Sequence, residues 1–303
     1  MARKRARGRA VDGILLLDKP GGITSNHALQ RVKRLYDAAK AGHTGSLDPL
    51  ATGMLPICLG AATKLSGYLL DARKTYAVTA ALGASTDTGD ADGEIVQRAA
   101  APPPDTGRLR DVLKSFLGES EQIPPMYSAL KRGGRPLYEL ARRGIDVERE
   151  ARPIRIDEIE LTAYEFPELS FEVTCSKGTY VRTLVEDVAE ALGTLGHVTR
   201  LRRLAVEPFD PDAMVTLEAI ERAAESGNAA LDALLLPVDS PLEGWPRVDL
   251  DAAQAARLAH GQSVPADGSW PRGRVRLDAA GAGFLGIGEV LPHGELVSRR
   301  LFL

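Results

Sequence analysis

The sequence has little cysteine, little aromatic side chain and no long apolar run. Two cysteines in 303 residues, Cys58 and Cys175, cannot make a disulfide framework, and their isolation excludes a cysteine-rich zinc site. Such sparse use fits a reducing compartment. No apolar stretch approaches the ~18 residues of a membrane span. The run Ile14 to Leu17 that follows the basic start ends at Asp18-Lys19 and is too short for a signal peptide. A cytoplasmic protein is expected. With 44% hydrophobic and 26% charged residues, the composition is that of an ordinary folded chain, which excludes disorder and collagen-like repetition. At about 150 residues per domain, the length suggests roughly two domains.

Lys and Arg number 38 against 41 Asp and Glu, but the net charge of −3 hides a segregation. Arg3, Lys4, Arg5, Arg7 and Arg9 precede any acid. Between Lys131 and Arg155 stand Lys131, Arg132, Arg135, Arg142, Arg143, Arg149, Arg152 and Arg155, against Glu139, Asp146, Glu148 and Glu150. Arg200, Arg202 and Arg203 form a third cluster. Basic patches on a slightly acidic protein suggest a polyanion held at one face, although charge alone slightly favours solvated helix faces and a disordered tail.

The periodicities alternate. Gly13–Asp18 reads as a buried strand, and Asn26–Ala38 carries a helical stripe introduced by Thr24 and Ser25 as caps. Residues 42–53 form a glycine-punctuated loop, Met54–Leu59 reads as a further strand, and Tyr76–Leu82 alternates as a half-buried one. Leu109, Val112, Leu113, Phe116 and Leu117 mark a helix after a proline-rich connection at 99–107. Residues 124–152, rich in Arg, Pro and Gly, read as an excursion from the core. Leu169, Phe171, Val173 and Cys175 then alternate, and Val181–Leu192 shows a clean helical face stopped by Gly193. The Pro/Gly-rich stretch 240–246 marks a boundary, with a helix at Ala252–Ala259 and several strands beyond it. The architecture expected is α+β: residues 1–246 as a main domain and 247–303 as a small β-rich one.

Three apparent motifs carry little. Gly281, Gly283 and Gly286 spell G-x-G-x-x-G, but a strand follows where a dinucleotide site needs a helix N-terminus. Asp87, Asp90, Asp92 and Gly93 fail the spacing of a calcium loop and read as a solvated turn, with exposed acids beside a site as the other reading. Ser46, His43 and Asp48 lie too close together in one loop to line up as nucleophile, base and orienter. No metal-ligand set and no cofactor motif stands out.

The informative segment is Gly42-His43-Thr44-Gly45-Ser46-Leu47-Asp48-Pro49-Leu50-Ala51-Thr52-Gly53. Pro49 biases Asp48 towards an extended backbone, and the flanking glycines allow tight turns. On physics alone Asp48 is a modest catalytic candidate, since a lone Asp in a loop usually caps or turns. The segment closely resembles the catalytic loop of the TruB-type tRNA pseudouridine-55 synthases, the stand-alone bacterial enzymes. The resemblance begins near Val11 and runs to the C-terminus. It takes in Gly13–Pro20 with Gly22 and Ser25, Asp87-Thr88 with Asp90–Gly93, Ile123–Lys131, Cys175–Arg182 and Leu201–Leu204. The visible departures are Ser46, where Ala is common, and a somewhat short C-terminal module.

The resemblance implies a pseudouridine synthase fold, a mixed sheet flanked by helices, followed by a PUA-like RNA-binding domain beginning near Arg247. It implies isomerisation of one T-loop uridine in tRNA, with no cofactor, no metal, no obligate protein partner and no guide RNA. By the same resemblance Asp48 is the nucleophile and Arg182 pairs with it, keeping it ionised and aligned. A cation in the first turn of a helix is mildly disfavoured by the macrodipole, so Arg182 calls for a specific partner. The target base must be flipped out to be reached. Tyr76 is then expected to stack on it, with a part in its deprotonation as a further option, Tyr180 and Leu201 to line its pocket, and His43 to insert into or stack within the loop. The excursion at 124–152 corresponds to the part that grips the T-arm. An RNA-guided relative and a non-catalytic RNA-binding module are the competing readings. The excursion argues against the first, and Asp48 with Arg182 and Tyr76 against the second.

Overall fold

A computed structural model describes residues 8–100, 103–281 and 283–302. Arg3, Lys4, Arg5 and Arg7 of the basic start lie outside the described residues, as do Ala101 and Pro102 of the connection and Ala282 of the glycine motif.

Strict alternation of buried and half-buried residues makes Lys74–Leu82 one of the central strands of a mixed sheet. The sheet runs in the order Val215–Thr216, Gly13–Lys19, Thr52–Leu59, Gly196–Val206, Lys74–Leu82, Glu168–Cys175, Arg152–Glu165 and Gly118–Gln122, with Ala41–His43 paired to Thr52–Leu59. Strand Gly13–Lys19 is buried almost throughout because its two faces enter two cores. Leu15 and Leu17 join the main cluster, whereas Ile14 and Leu16 pack with Met54, Cys58, Val206 and Phe209 on the other side. The mixed sheet flanked by helices is the architecture expected.

Helix Val181–Ala191 lays Val181, Leu184, Val185, Val188 and Ala189 on the sheet, and Gly193 at φ +79° follows its end. Helix Ser25–Leu35 is capped by Thr24, whose hydroxyl accepts the His27 N–H at 3.1 Å. Ser25, expected as a second cap, is instead buried and bonded to Leu47. Asp105 caps Thr106–Ser115; the expected stripe overruns this helix, leaving Leu117 exposed beyond its end.

The excursion leaves and returns at one sheet edge, where Gln122 and Arg152 are cross-strand neighbours. Between them lie a two-residue hairpin, Lys131–Arg132 with Arg135–Pro136, and the short helix Leu137–Ala141. Past residue 246 a second sheet of five strands forms around its own core of Val248, Leu250, Leu258, Val275, Leu277 and Leu296. Its helix is Ala252–Ala259, started by a capping box between Asp251 and Gln254. The glycine motif joins strands Gly273–Ala279 and Gly283–Val290, as the hairpin reading required.

Candidate active site

The loop between Ala41–His43 and Thr52–Leu59 is pinned from several sides. Leu47 and Ala51 are buried on either side of Asp48. The Leu47 N–H donates to Ser25 Oγ at 2.7 Å, and the Gly22 N–H to the Pro49 carbonyl at 2.8 Å. Lys19, fully buried, donates its ammonium to the carbonyls of Pro20 at 2.8 Å and Ile23 at 2.7 Å and reaches that of Pro49 at 3.5 Å. Arg203, also buried, donates to the carbonyls of Met54 at 2.6 Å and Gly45 at 3.1 Å, on either flank of the loop. Gly53 is obligatory here. Its φ is +97°, and a Cβ would sit 2.2 Å from the Arg203 carbonyl oxygen.

These anchors leave the Asp48 side chain 41% exposed against a buried guanidinium. Arg182 Nε lies 2.9 Å from Asp48 Oδ2 and 3.7 Å from Asp90 Oδ2. Its remaining donors reach the carbonyls of Thr88 at 2.6 Å and Tyr127 at 2.7 Å. Two carbonyls and two carboxylates from three separate segments therefore surround one planar fork, which fixes its direction. Asp90 is 4% exposed, and its Oδ1 accepts the Thr88 hydroxyl at 2.6 Å and the Asp92 N–H at 3.2 Å.

Two expectations change here. Asp90 is not part of a solvated turn but a buried acid facing Arg182, drawn in because that guanidinium supplies its counter-charge. Asp48 is not simply held in its ionised form by Arg182. Desolvation raises its carboxyl above the ordinary range and Asp90 adds to this, together outweighing the opposite pull of Arg182 and Lys19. Water reaches the carboxylate, but protein surrounds most of it.

Tyr76 is 8% exposed on strand Lys74–Leu82, opposite Val173 on one side and Arg203 on the other. Burial raises its phenol and Arg203 opposes this. Tyr180 precedes helix Val181–Ala191 in an extended conformation, and burial raises its phenol too. Asp48 adds a small upward push on both phenols, after the larger effect of burial. Leu201 lies opposite Val78 and shares the main core with Tyr76. A hollow of 390 Å³ touches Leu201 but neither Asp48 nor the tyrosines. His43 joins none of these networks. Its ring Nδ1 is buried without a hydrogen-bond partner among the described residues, and burial, then Arg203, keeps the imidazole neutral to lower pH than usual.

The third basic cluster is divided between exposed ion pairs and a buried arginine. Arg202 makes a two-pronged pair with Asp18 at 2.9 Å for each bond, Arg200 pairs with Glu168 at 3.0 Å, and Arg203 is buried beneath the loop. No three His, Cys, Asp or Glu residues come together as a metal-ligand set among the described residues.

Residues 33–181 match the family model described as TruB family pseudouridylate synthase (N terminal domain). Residues 182–243 match that of the tRNA pseudouridylate synthase B C-terminal domain, and 246–302 that of Pseudouridine synthase II TruB, C-terminal. The chain is 52% identical over 299 residues to tRNA pseudouridine synthase B of Nitrosococcus oceani, covering 99% of this chain and 97% of that protein. It is 50% identical over 309 residues to the protein of the same name from Salmonella typhi, covering 99% and 98%. Among solved structures, a chain of a Cbf5-Nop10-Gar1 complex superimposes with TM-score 0.73 at 25% identity, covering 96% of this chain and 85% of that one. A chain of an H/ACA RNP bound to a substrate RNA containing 2'-deoxyuridine shares the fold, with TM-score 0.72 at 22% identity over 100% and 92%. Near-complete coverage at half identity settles the kinship: the chain belongs to the TruB family of tRNA pseudouridine synthases.

Proposed function

We propose that this protein isomerises the T-loop uridine of tRNA to pseudouridine, working alone in the cytoplasm. The observation that carries the reading is the exposed Asp48 carboxylate, backed at 2.9 Å by a buried arginine whose two terminal nitrogens are each bonded to a backbone carbonyl. Arg182 orients Oδ2, and Oδ1, with no protein partner among the described residues, is left to act as nucleophile on the flipped nucleotide. The N1–C1′ bond breaks, the uracil turns within the pocket, C5 bonds to C1′, and the bond formed by Asp48 is broken again to return its carboxylate. C5 gives up its proton and N1 gains one, so composition is unchanged and no redox partner is called for.

Tyr76 stacks on the flipped base, while Tyr180 and Leu201 bound its pocket. A neutral His43 is suited to insert where the base has left, since an uncharged ring stacks without desolvating a cation. The excursion at 124–152 grips the T-arm through Lys and Arg, and the domain from Arg247 extends the RNA-binding surface. The solved relatives are titled as members of multi-protein or RNA-protein complexes. This chain's own basic excursion supports a grip on RNA without such partners.

The test is incubation of the purified chain with a T-arm stem-loop, followed by mapping of pseudouridine. One modified uridine is expected in the loop. Asp48→Asn, nearly isosteric but a far poorer nucleophile and base, should abolish product while leaving RNA affinity within a few-fold of the parent. Turnover by a folded Asp48→Asn protein would falsify the nucleophile assignment.

A further inference from the structure

Gln122 ends the edge strand Gly118–Gln122, in which residues 119–121 are exposed while Gln122 itself is 4% exposed. Its amide spends both ends on the backbone of one residue. Oε1 accepts the Tyr180 N–H at 2.8 Å, and Nε2 donates to the Tyr180 carbonyl at 3.2 Å. The side chain thus imitates a neighbouring β-strand and holds Tyr180 extended, at φ −97° and ψ 108°.

That position is one where help is needed. Helices Ser25–Leu35, Thr106–Ser115, Leu217–Glu225 and Ala252–Ala259 start on Thr24, Asp105, Thr216 and Asp251, whose side chains accept backbone N–H groups. Helix Val181–Ala191 starts on Tyr180, which makes no side-chain cap. Yet this is the helix that carries Arg182 in its first turn. An uncapped start tends to fray, and a frayed start would swing both the Tyr180 ring and the guanidinium. Gln122 supplies from a distant strand the conformational restraint that a capping residue would supply locally. It is also the neck of the excursion, next to exposed Ile123 and opposite Arg152, and the excursion returns a second contact through the Tyr127 carbonyl on Arg182.

We propose that Gln122 is a positioning residue for the isomerisation: its amide clamps the Tyr180 backbone and so fixes the Tyr180 ring and the helix start that aims Arg182 at Asp48. The inference rests on the roles of Tyr180 and Arg182 given above. It ties the base of the T-arm grip to the reacting carboxylate.

The experiment uses the full chain with Gln122→Met and Gln122→Glu, measuring single-turnover rate on a saturating T-arm hairpin across pH, hairpin affinity, and amide exchange. Gln122→Met keeps the volume and loses both bonds. Its rate should fall about tenfold, the scale of one or two hydrogen bonds, with affinity within a few-fold of the parent and faster exchange at the Tyr180 amide. A protonated Glu offers a carbonyl acceptor and an O–H donor as the amide does, whereas the ionised form cannot donate. The rate of Gln122→Glu relative to the parent should therefore climb as pH falls, while that of Gln122→Met stays flat. Parent-like rates in a folded Gln122→Met, a relative rate of Gln122→Glu that ignores pH, a loss lying wholly in affinity, or unchanged Tyr180 exchange would each overturn the clamp. Asp48→Asn run alongside reads the underlying function separately, because its turnover does not depend on Gln122 being right.

Discussion

Asp48 is pulled in two directions, and the balance has a consequence for pH. Desolvation and Asp90 disfavour its ionised form, while Arg182 and Lys19 favour it. If the carboxylate reacts, activity appears as pH rises through a value above the ordinary carboxylate range. Asp90→Asn removes a neighbouring negative charge, so ionisation becomes easier and the acidic limb of the rate profile moves to lower pH. The same change removes an anchor of Arg182 and should lower the plateau by about tenfold. A single-turnover pH profile of Asp90→Asn checks both directions, and a limb moving to higher pH would contradict the charge arrangement. Asp48 and Arg182 were legible because long motifs around them carry a resemblance; loop chemistry alone offered Asp48 only as a turn residue. Asp90 was not legible as an interior group. Its own sequence, Asp90-Ala91-Asp92-Gly93, spells a solvated turn, and the cation that draws it inside comes from a distant helix. Nor does anything near Gln122 announce that its amide closes on Tyr180.

At the scale of elements, alternation predicted strands at Tyr76–Leu82 and Leu169–Cys175, which form as Lys74–Leu82 and Glu168–Cys175, because each has one buried face and a period of two is local information. The sheet order carries no such local sign, since Gly196–Val206 inserts between strands that precede it by more than a hundred residues. Charge runs mislead for the same reason. Arg200 and Arg202, part of a run that charge alone left between a polyanion site and a solvated face, stand beside Glu168 and Asp18 in the fold. The excursion is different. Arg132 is spent on the Glu148 carbonyl, and Arg149 on the Pro124 carbonyl at 3.2 Å. Arg142 and Arg143, at the end of helix Leu137–Ala141, have no acidic partner among the described residues, and Arg142 rests over the Tyr138 ring at 5.6 Å. Cations that displace counterions from RNA give binding a salt slope of roughly 0.7–0.9 per neutralised phosphate. Replacing Arg142 and Arg143 by Ala should therefore weaken T-arm binding across many sequences about equally and flatten the salt dependence. The modified uridine should not change, because the hypothesised base pocket lies on other elements. A salt titration with product mapping decides this. Unchanged affinity and slope would leave the run a solvated face, and a shifted uridine would give it a part in choosing the base.

At the scale of the whole molecule, the two sheets meet across a seam that the boundary residues themselves help to build. Leu65, Leu242 and Ile287 are fully buried there, with Trp245 edge-on to Tyr68 at 5.6 Å and Phe284 against Phe302 at 5.1 Å. Arg276 of the C-terminal sheet pairs with Asp239 at 2.7 Å, and Lys64 donates to the Leu301 carbonyl at 3.2 Å. Cutting the chain before Arg247 would therefore bare Leu65 and Tyr68 and confound loss of RNA contact with loss of stability. A substitution in the seam separates the two. Ile287→Ala removes buried aliphatic volume where the sheets touch, at a cost of about 2–5 kcal/mol. If the C-terminal domain extends the RNA-binding surface, loosening its attachment should raise KM for whole tRNA more than KM for a T-arm hairpin too small to reach it. The saturating single-turnover rate should stay within a few-fold of the parent on both substrates, because Asp48, Arg182 and both tyrosines lie on the first sheet, one of its loops and the start of its helix. Parallel titrations of the two RNAs with parent and Ile287→Ala, at a temperature where both remain folded, read the difference directly. Equal rises in KM would take the domain out of tRNA binding. A collapse of the saturating rate with KM unchanged would instead make the seam part of what holds the active site in shape.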